Sequence, residues 1–227
     1  MKIVVINSSG NVGKTTLSKL LFMPRIKNCH LLNVAYNYNC KDFIKVISET
    51  LIYENCIIDV NSNGTSFFFD GLSKYTDFID SIDYFFVPTV PSNKQQHDSI
   101  TTILTLLDLG VQKTKIKILL NQFDCNHSIN DQFFTILNHS INKLLLLNEQ
   151  SNQFIIESSE SFVFFSHHEI INNNENYKVL LSNTNDPLKR EILSHKYTMK
   201  IVANSINKEL DNVFNKIKLS IGNIDNE

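Results

Sequence analysis

The segment Asn7-Ser8-Ser9-Gly10-Asn11-Val12-Gly13-Lys14-Thr15-Thr16 lies between an apolar run and an amphipathic stretch, and it decides the fold. The run before it, Lys2–Ile6, is rich in β-branched apolar residues, which is typical of a strand buried on both faces. The stretch after it extends from Lys14 to about Met23 with helical spacing and is closed by Pro24. The sequence therefore predicts a strand, a glycine-containing loop and a helix, in that order.

The loop matches the last three positions of the phosphate-binding pattern G-x-x-x-x-G-K-S/T, while Ser8 occupies the position of its first glycine. Gly10 and Gly13 allow backbone N–H groups to turn toward an anion, and the helix amino terminus adds partial positive charge. Lys14 can reach the β- and γ-phosphates of a nucleotide, and Thr15 can offer its hydroxyl to Mg²⁺. The loop residues expected to bind nucleotide are Ser9, Gly10, Asn11, Val12, Gly13, Lys14, Thr15 and Thr16.

The rest of the chain alternates short apolar runs with longer amphipathic stretches. Strands are predicted at 31–35, Cys56–Val60, 84–87 and 115–120, with later candidates at 154–156, 162–165 and 178–181. Helices are predicted at 42–53, at 98–109 before Gly110, at 131–147 and at about 188–218, with a phenylalanine-rich helix or turn after 61–64. This alternation predicts an α/β fold with a mainly parallel sheet and helices on both faces. Since no linker is visible, we expect one P-loop NTPase domain over residues 1–227 that ends in the helical segment 188–218.

Two polar side chains follow buried strands, at the sheet edge where parallel folds bind ligands. Asp59 comes at the end of the strand 56–60, where a carboxylate can hold a magnesium-bound water. We expect it, together with Lys14, to be catalytic, and we expect Thr15 and Asp59 to hold Mg²⁺. Asn121 follows the strand 115–120, where its amide could read an adenine edge. In a chain so rich in asparagine, a turn-forming role for Asn121 is the alternative.

Composition excludes several classes of protein. The chain has 227 residues, of which 42% are hydrophobic and 19% charged, so it can bury a core and is not of the disordered class. A net charge of -2 excludes a globally basic nucleic-acid binder. No apolar run reaches the roughly 18 residues of a membrane span, and no signal peptide is visible. The 4 cysteines form no CxxC pair, which favours free thiols in the cytoplasm over disulfides or zinc.

The phosphate loop, together with the strand before it, resembles the start of StbB-type plasmid stability proteins, which belong to the ParA/MinD division of P-loop ATPases with a deviant Walker A loop. Met23-Pro24-Arg25, Ile57-Ile58-Asp59-Val60 and Leu119-Leu120-Asn121 are also similar to segments of that group. The resemblance implies a cytoplasmic ATPase that uses ATP/ADP and Mg²⁺ and forms a nucleotide-dependent homodimer. It also implies a DNA-binding partner protein in a system that maintains, partitions or positions a plasmid.

Two departures from the ParA pattern bear on hydrolysis. Ser9 stands where the ParA group has a signature lysine, and StbB-type loops also lack that lysine. In addition, no Asp or Glu precedes Asp42, although ParA-like proteins carry an acidic residue after the second strand. Loss of a cationic contact to the transition state can slow phosphoryl transfer by roughly 10³ or more, so the resemblance implies at most a slow ATPase. A nucleotide-binding adaptor with little or no hydrolysis is the alternative. A metabolic P-loop ligase or kinase would need an acid–base pocket that the sequence does not identify.

The end of the chain is locally basic. Its predicted helix carries Lys189, Arg190, Lys196, Lys200, Lys208, Lys216 and Lys218 against Glu191, Glu209 and Asp211. These cations could contact DNA phosphates directly, and a solvated helix face is the alternative. No membrane contact is expected, because the tail 221–227 is acidic where an interfacial helix would be basic. His167-His168-Glu169 is interpreted as surface, since adjacent residues do not share a helix face.

Overall fold

The computed structural model of the chain describes residues 1–35, 42–147, 149, 152–158, 174–220 and 222. The chain divides into two compact units, one formed by Met1–Ser158 with Val213–Glu227 and the other by Ser159–Asn212. The expected single domain over 1–227 stays a prediction. None of the helices in the described ranges is both long and apolar enough to cross a bilayer.

The first unit contains a parallel sheet of six strands in the order β2-β3-β1-β4-β5-β6. The strands are β1 (Lys2–Ile6), β2 (His30–Val34), β3 (Cys56–Val60), β4 (Tyr84–Thr89), β5 (Ile116–Phe123) and β6 (Phe154–Glu157). Helices of this unit are α1 (Lys14–Leu17), α2 (Phe43–Ile52), α3 (Thr65–Lys74), α4 (Asp77–Asp80), α5 (Asn93–Asp108), α6 (Ile129–Gln132), α7 (Phe134–Leu137) and α8 (Ser140–Leu145). The predicted α/β fold with a mainly parallel sheet is confirmed, with all five pairings parallel.

The central position of β1 places the phosphate loop. β1 pairs with β3 on one side and β4 on the other, and Val5 lies opposite both Asp59 and Phe86. Residues Ile3–Ile6 are fully buried, as their uninterrupted apolar run predicts. The loop after Ile6 therefore emerges at the carboxyl edge of the sheet between two neighbouring strands, where polar side chains from both can reach it.

The largely aliphatic core on one face of the sheet includes a cluster of aromatic rings around Phe43. The Phe43 ring packs against Phe68 at 5.6 Å and Phe78 at 5.9 Å between ring centroids. Gly71 of α3 is required here, because a Cβ atom at that position would overlap the Phe43 ring. On α2, Phe43 and Val46 are buried, whereas the apolar side chains Ile44, Leu51 and Ile52 are exposed.

Several predicted boundaries are wrong for identifiable reasons. The helix expected from Lys14 to Met23 is α-helical only to Leu17 and continues as a π-helical turn, Ser18–Phe22, and a 3₁₀ turn, Met23–Arg25. The guanidinium of Arg25 donates to the carbonyls of Leu20 and Leu21, at 2.6 and 3.2 Å, which satisfies acceptors at the end of the π turn.

The strand β4 was predicted to end before Pro88, at residue 87. In the structure it continues through Pro88 to Thr89. Pro88 lies opposite Leu119 of β5, and its carbonyl accepts a hydrogen bond from the Asn7 side chain. In the same region, α5 begins at Asn93, five residues before the predicted start, because its first turn is polar and hides the helical pattern. One of these polar side chains, Gln95, contacts the phosphate loop.

Two further predictions on the carboxyl side are corrected. The helix expected at 131–147 is three short helices, α6 to α8, which begin after the side-chain cap Ser128, are separated at Phe133 and at the cap His139, and end at Leu146 with a φ of +54°. β5 extends to Phe123, so Asn121 lies within the strand and not after it.

The second unit is helical where it is described. It contains α9 (Tyr177–Ser182) and most of α10 (Pro187–Ser220), and α10 confirms the predicted C-terminal helix. The strand expected at 178–181 is wrong, because this segment forms α9, with Asn176 as its side-chain cap. The candidates at 162–165 and 167–169 lie outside the described residues.

Candidate functional site

The phosphate loop depends on a left-handed glycine. Gly13 has a φ of +88° and caps the amino end of α1, and its carbonyl accepts from the Leu17 N–H at 2.8 Å. A Cβ atom at Gly13 would overlap the Asn121 amide, so glycine is required by conformation and by space. Asn11 also has a positive φ, of +58°, and asparagine is among the few other residues that adopt it readily.

Lys14 lies folded onto the loop that precedes it. Its Nζ donates to the carbonyl oxygens of Asn7 at 2.9 Å and Ser9 at 2.5 Å, and its side chain is buried. Burial lowers the pKa of Lys14 to about 8, while the nearby Asp59 carboxylate acts in the opposite direction. The ammonium is therefore held against the backbone carbonyls of the loop that precedes it.

Thr15 and Asp59 meet beside the lysine. The Thr15 hydroxyl donates to Oδ2 of Asp59 at 2.6 Å, because β3 lies next to β1 in the sheet. The other carboxylate oxygen, Oδ1, is buried without a hydrogen-bond partner among the described residues. Burial raises the pKa of Asp59, opposed by the Thr15 hydrogen bond and by the charges of Lys14 and Lys19. An unpaired carboxylate oxygen beside a hydroxyl is a donor set that suits Mg²⁺.

Asn121 contacts the loop from the other side. It is buried within β5, and its Nδ2 donates to the Val12 carbonyl at 3.0 Å. The side chain thus holds the phosphate loop next to Gly13, and the alternative of a turn-forming asparagine is excluded because Asn121 lies in a strand. Reading of an adenine edge by Asn121 stays a prediction.

A cleft opens at the carboxyl ends of β4, β5 and β6, next to the loop. It has a volume of about 620 Å³ and includes Gln95 and Gln122 in its lining, with Pro91, Asp124 and Glu157. Gln95 donates to the Gly10 carbonyl at 2.9 Å, and Gln122 donates to the Asn11 carbonyl at 3.5 Å. The cleft is within the size range of ligand sites, and its walls contact the phosphate loop directly.

The sequence identified neither Asn7 nor the contacts of helix α5 with the loop as parts of the site. Asn7 is fully buried at the end of β1 and forms hydrogen bonds to β4, to α5 and to the loop. A polar residue directly between a buried strand and a phosphate loop is the signal that could have identified it. No sequence signal indicates that α5 contacts the loop. The contact arises because β4, which precedes α5, pairs with β1, which precedes the loop.

Other expected features do not join this site. Within the described ranges, no group of three or more His, Cys, Asp or Glu residues could hold a metal, and Cys29, Cys56 and Cys125 are free thiols. Two of the C-terminal lysines bond within their own units: Lys216 Nζ donates to the Gln153 carbonyl at 2.7 Å and Lys200 Nζ to that of Glu175 at 3.1 Å.

Comparison with known proteins identifies the fold of the chain. No protein-family model and no curated protein matches the sequence. Among solved structures, a Borrelia burgdorferi B31 protein named as a plasmid partition protein, bound to AMPPNP, is similar with a TM-score of 0.52 at 13% identity, covering 95% of this chain and 98% of that one. A variant of McdA from Cyanothece in complex with ATP gives 0.51 at 13% identity, with 95% of each chain covered.

A chain of the MinC:MinD cell division protein complex of Aquifex aeolicus is also similar, with a TM-score of 0.51 at 12% identity, covering 100% of this chain and 98% of that one. The chain thus has a P-loop NTPase fold. More particularly, it has the fold of the ParA/MinD-type ATPases, as the sequence resemblance implies. The finer StbB-type assignment rests on the loop sequence alone.

Proposed function

We propose that this chain is an ATP-binding, ParA-like P-loop ATPase that acts as a nucleotide-dependent switch in plasmid stability, partition or positioning, in the cytoplasm. The observation that carries the proposal is the convergence of Lys14, Thr15 and Asp59 at the start of α1, beside a left-handed Gly13. Nucleotide binding is supported further by two of the similar structures, which hold AMPPNP and ATP.

In this proposal the backbone of residues 9–16 and the Lys14 ammonium bind the phosphates of ATP or ADP. Thr15 and Asp59 would hold Mg²⁺, and the cation would neutralise charge on the phosphates when bound. Lys14 must leave the Asn7 and Ser9 carbonyls to reach a phosphate, and its release is compensated by a charge-assisted contact. Asn121 holds the loop and faces the base. Hydrolysis of ATP to ADP and phosphate is slow.

The test is nucleotide binding and turnover. We expect wild type to bind ADP, ATP and AMPPNP by calorimetry, and Lys14→Ala to bind them at least about 100-fold more weakly, because a buried charge-assisted contact is lost. Lys74→Ala is the matched control, since Lys74 is an exposed lysine at the end of α3. Absence of binding to wild type at millimolar nucleotide would refute the proposal.

A nucleotide-binding adaptor with little or no hydrolysis is the second candidate, and Ser9 favours it. Ser9 replaces the signature lysine, is itself buried, and has its N–H and its carbonyl bonded within the loop. It therefore provides no cation that could reach a second subunit. Tight ADP and ATP binding without measurable phosphate release would establish the adaptor and exclude the ATPase.

The proposed partners are a second copy of the chain and a DNA-binding protein of a plasmid maintenance system. Mass measurements with and without ATP and Mg²⁺ test the homodimer, which we expect only with nucleotide. Direct DNA contact would use the basic residues of α10, and a DNA-shift assay at low salt tests it. Lack of retardation in every nucleotide state would remove direct DNA contact and leave contact through the partner protein.

A further inference from the structure

Asn7, the first residue after β1, joins the phosphate loop to two neighbouring elements. Its side chain is fully buried, and both its donor hydrogens and its acceptor oxygen are engaged. Nδ2 donates to the Pro88 carbonyl at 2.8 Å and to the Ser99 hydroxyl at 2.7 Å. Oδ1 accepts from the Ser9 N–H at 2.8 Å, which closes a local turn at the start of the loop. One side chain thus connects the loop with β4 and α5.

The hydroxyls of α5 that face the loop are oriented as acceptors. Ser99 Oγ and Thr102 Oγ1 each donate to the carbonyl four residues earlier in the helix, at 2.7 and 2.9 Å. A hydroxyl carries one hydrogen, so Ser99 accepts from Asn7, and Thr102 accepts from the Ser8 N–H at 3.1 Å. This polarity also decides the orientation of the Asn7 amide, because its nitrogen must face both Ser99 and the Pro88 carbonyl.

The same residues set the position of the phosphate-binding lysine. Lys14 Nζ is bonded to the carbonyls of Asn7 and Ser9, the two residues that the Asn7 side chain fixes in place. A displacement of Asn7 would therefore move both the loop backbone and Lys14. The contacts with α5 are buried or half-buried, where loss of one partner leaves the other unsatisfied.

We propose that Asn7, Ser99 and Thr102 form a loop anchor that positions the phosphate loop for phosphate binding, with Asn7 as its central residue. The inference rests on the proposed nucleotide binding. All three are positioning residues, since each acts through the loop backbone and Lys14 and does not itself touch the ligand.

Two threonines of α5 provide a matched test. Thr102 and Thr105 both donate to the carbonyl four residues earlier, each at 2.9 Å. Among the described residues, Thr102 alone of the two contacts the loop, through the N–H and the hydroxyl of Ser8. We expect Thr102→Val to weaken the binding of ADP and of pyrophosphate about tenfold, because the half-buried N–H of Ser8 is left unpaired. Thr105→Val should leave both affinities unchanged, although it removes the same helix bond.

Two variants test the rest of the anchor. Ser99→Ala removes one acceptor of the Asn7 amide, and we expect a similar loss of about tenfold for both ligands. Asn7→Asp places a carboxylate oxygen against the Pro88 carbonyl, and we expect a loss of at least about 100-fold. Should Asn7→Asp fail to fold, Thr102→Val and Ser99→Ala decide the matter.

A second measurement separates this proposal from the proposed function. Hydrogen exchange of the peptide 7–16 in ligand-free protein should be faster in Thr102→Val than in wild type and unchanged in Thr105→Val. If Thr102→Val lowers only the melting temperature and leaves affinity and exchange as in Thr105→Val, the anchor is overturned. If wild type binds neither ADP nor pyrophosphate while exchange still rises in Thr102→Val, nucleotide binding is refuted and the anchor of the loop stands as structure alone.

Discussion

The phosphate side and the metal side of the candidate site differ in how completely their polar groups are paired. On the phosphate side, Lys14 donates to two loop carbonyls, while Asn7 and Asn121 hold the loop through buried hydrogen bonds. On the metal side, Thr15 pairs with one oxygen of Asp59, and the other is buried without a partner among the described residues.

This difference shows which part of the site the protein forms by itself. The phosphate side is preorganised by hydrogen bonds within the protein. When a ligand binds, its phosphate oxygens replace the carbonyls of Asn7 and Ser9 as acceptors of the Lys14 ammonium. The metal side carries a desolvated carboxylate, whose ionised form gains most from a cation. We therefore expect variants of the two sides to differ in kind, with loss of affinity on one and loss of Mg²⁺ dependence on the other.

The largest effect is expected from Gly13→Ala, which disrupts the phosphate side. Gly13 and Gly110 have nearly the same φ, +88° and +89°, but a Cβ atom would overlap Asn121 only at Gly13. Both variants should lose about 1–2 kcal/mol of unfolding free energy from backbone strain. Gly13→Ala should lose more than that, and bind ADP at least about 100-fold more weakly. Chemical denaturation and calorimetry measure both; equal affinity in the two variants would contradict the preorganised loop.

Asp59→Asn acts on the metal side. We expect it to remove most of the Mg²⁺ dependence of AMPPNP binding, at least about tenfold, because an amide is a much poorer ligand of a hard cation. Because burial raises the pKa of Asp59, the ionised carboxylate destabilises the ligand-free fold, and that loss grows as pH rises from the usual aspartate range through the raised pKa. Ligand-free Asp59→Asn should therefore be as stable as wild type or more stable at neutral pH.

The matched control for this variant is Asp70→Asn, an exposed carboxylate of α3 that lies outside the site. It should leave the Mg²⁺ dependence unchanged. Equal Mg²⁺ titrations for wild type and Asp59→Asn would show that the buried oxygen is not a cation ligand, and the two sides of the site would no longer differ in the way described.

How much of this could be predicted from the sequence depends on how local the cause is. The bounds of Lys2–Ile6 and Cys56–Val60 were predicted correctly, because central strands buried on both faces are uninterrupted apolar runs. The segment 131–147 was not, because its leucines and isoleucines continue with helical spacing across the breaks at Phe133 and His139. A side-chain cap leaves little trace in an apolar pattern.

The same distinction applies to the residues of the candidate site: those with a local cause could be predicted, and those placed by the sheet topology could not. Gly13, Lys14 and Thr15 could be recognised because backbone conformation and phosphate chemistry restrict the residue types within one short loop. The partner of Asn121 could not be predicted, because Val12 reaches it only through the pairing order of the sheet. Sequence patterns therefore indicated the chemistry of the loop, whereas the side chains that hold it in place had to be taken from the structure.

A pH titration tests the phosphate side at the lysine. Because burial lowers the pKa of Lys14 to about 8, ADP affinity should be flat below that pH and fall by up to about tenfold per unit above it, since binding must take up a proton. Stability should change in the opposite direction. The unfolded chain holds more protons from about pH 8 to the usual lysine pKa of 10.5, so the contribution of Lys14 to unfolding free energy rises with pH.

The control for the titration is Lys14→Arg, whose guanidinium stays charged throughout this range. Its ADP affinity, even if weaker, should not depend on pH near 8. Calorimetry in two buffers of different ionisation enthalpy measures the proton uptake directly. Identical pH profiles for wild type and Lys14→Arg would show that the lysine does not titrate in the ligand-free loop.

The smallest effect is expected from Asn11→Gly, and it tests whether the loop acts through its backbone. Asn11 has a φ of +58°, and Asn28, far along the chain, has one of +50°. Asparagine tolerates this conformation, so each substitution by glycine should change the unfolding free energy by less than about 1 kcal/mol. If the loop binds phosphate through N–H groups, ADP affinity should change by less than about threefold in both variants. A larger loss in Asn11→Gly alone would show that the Asn11 side chain contacts the ligand. Phosphate binding would then depend on a side chain of the loop as well as on its backbone N–H groups.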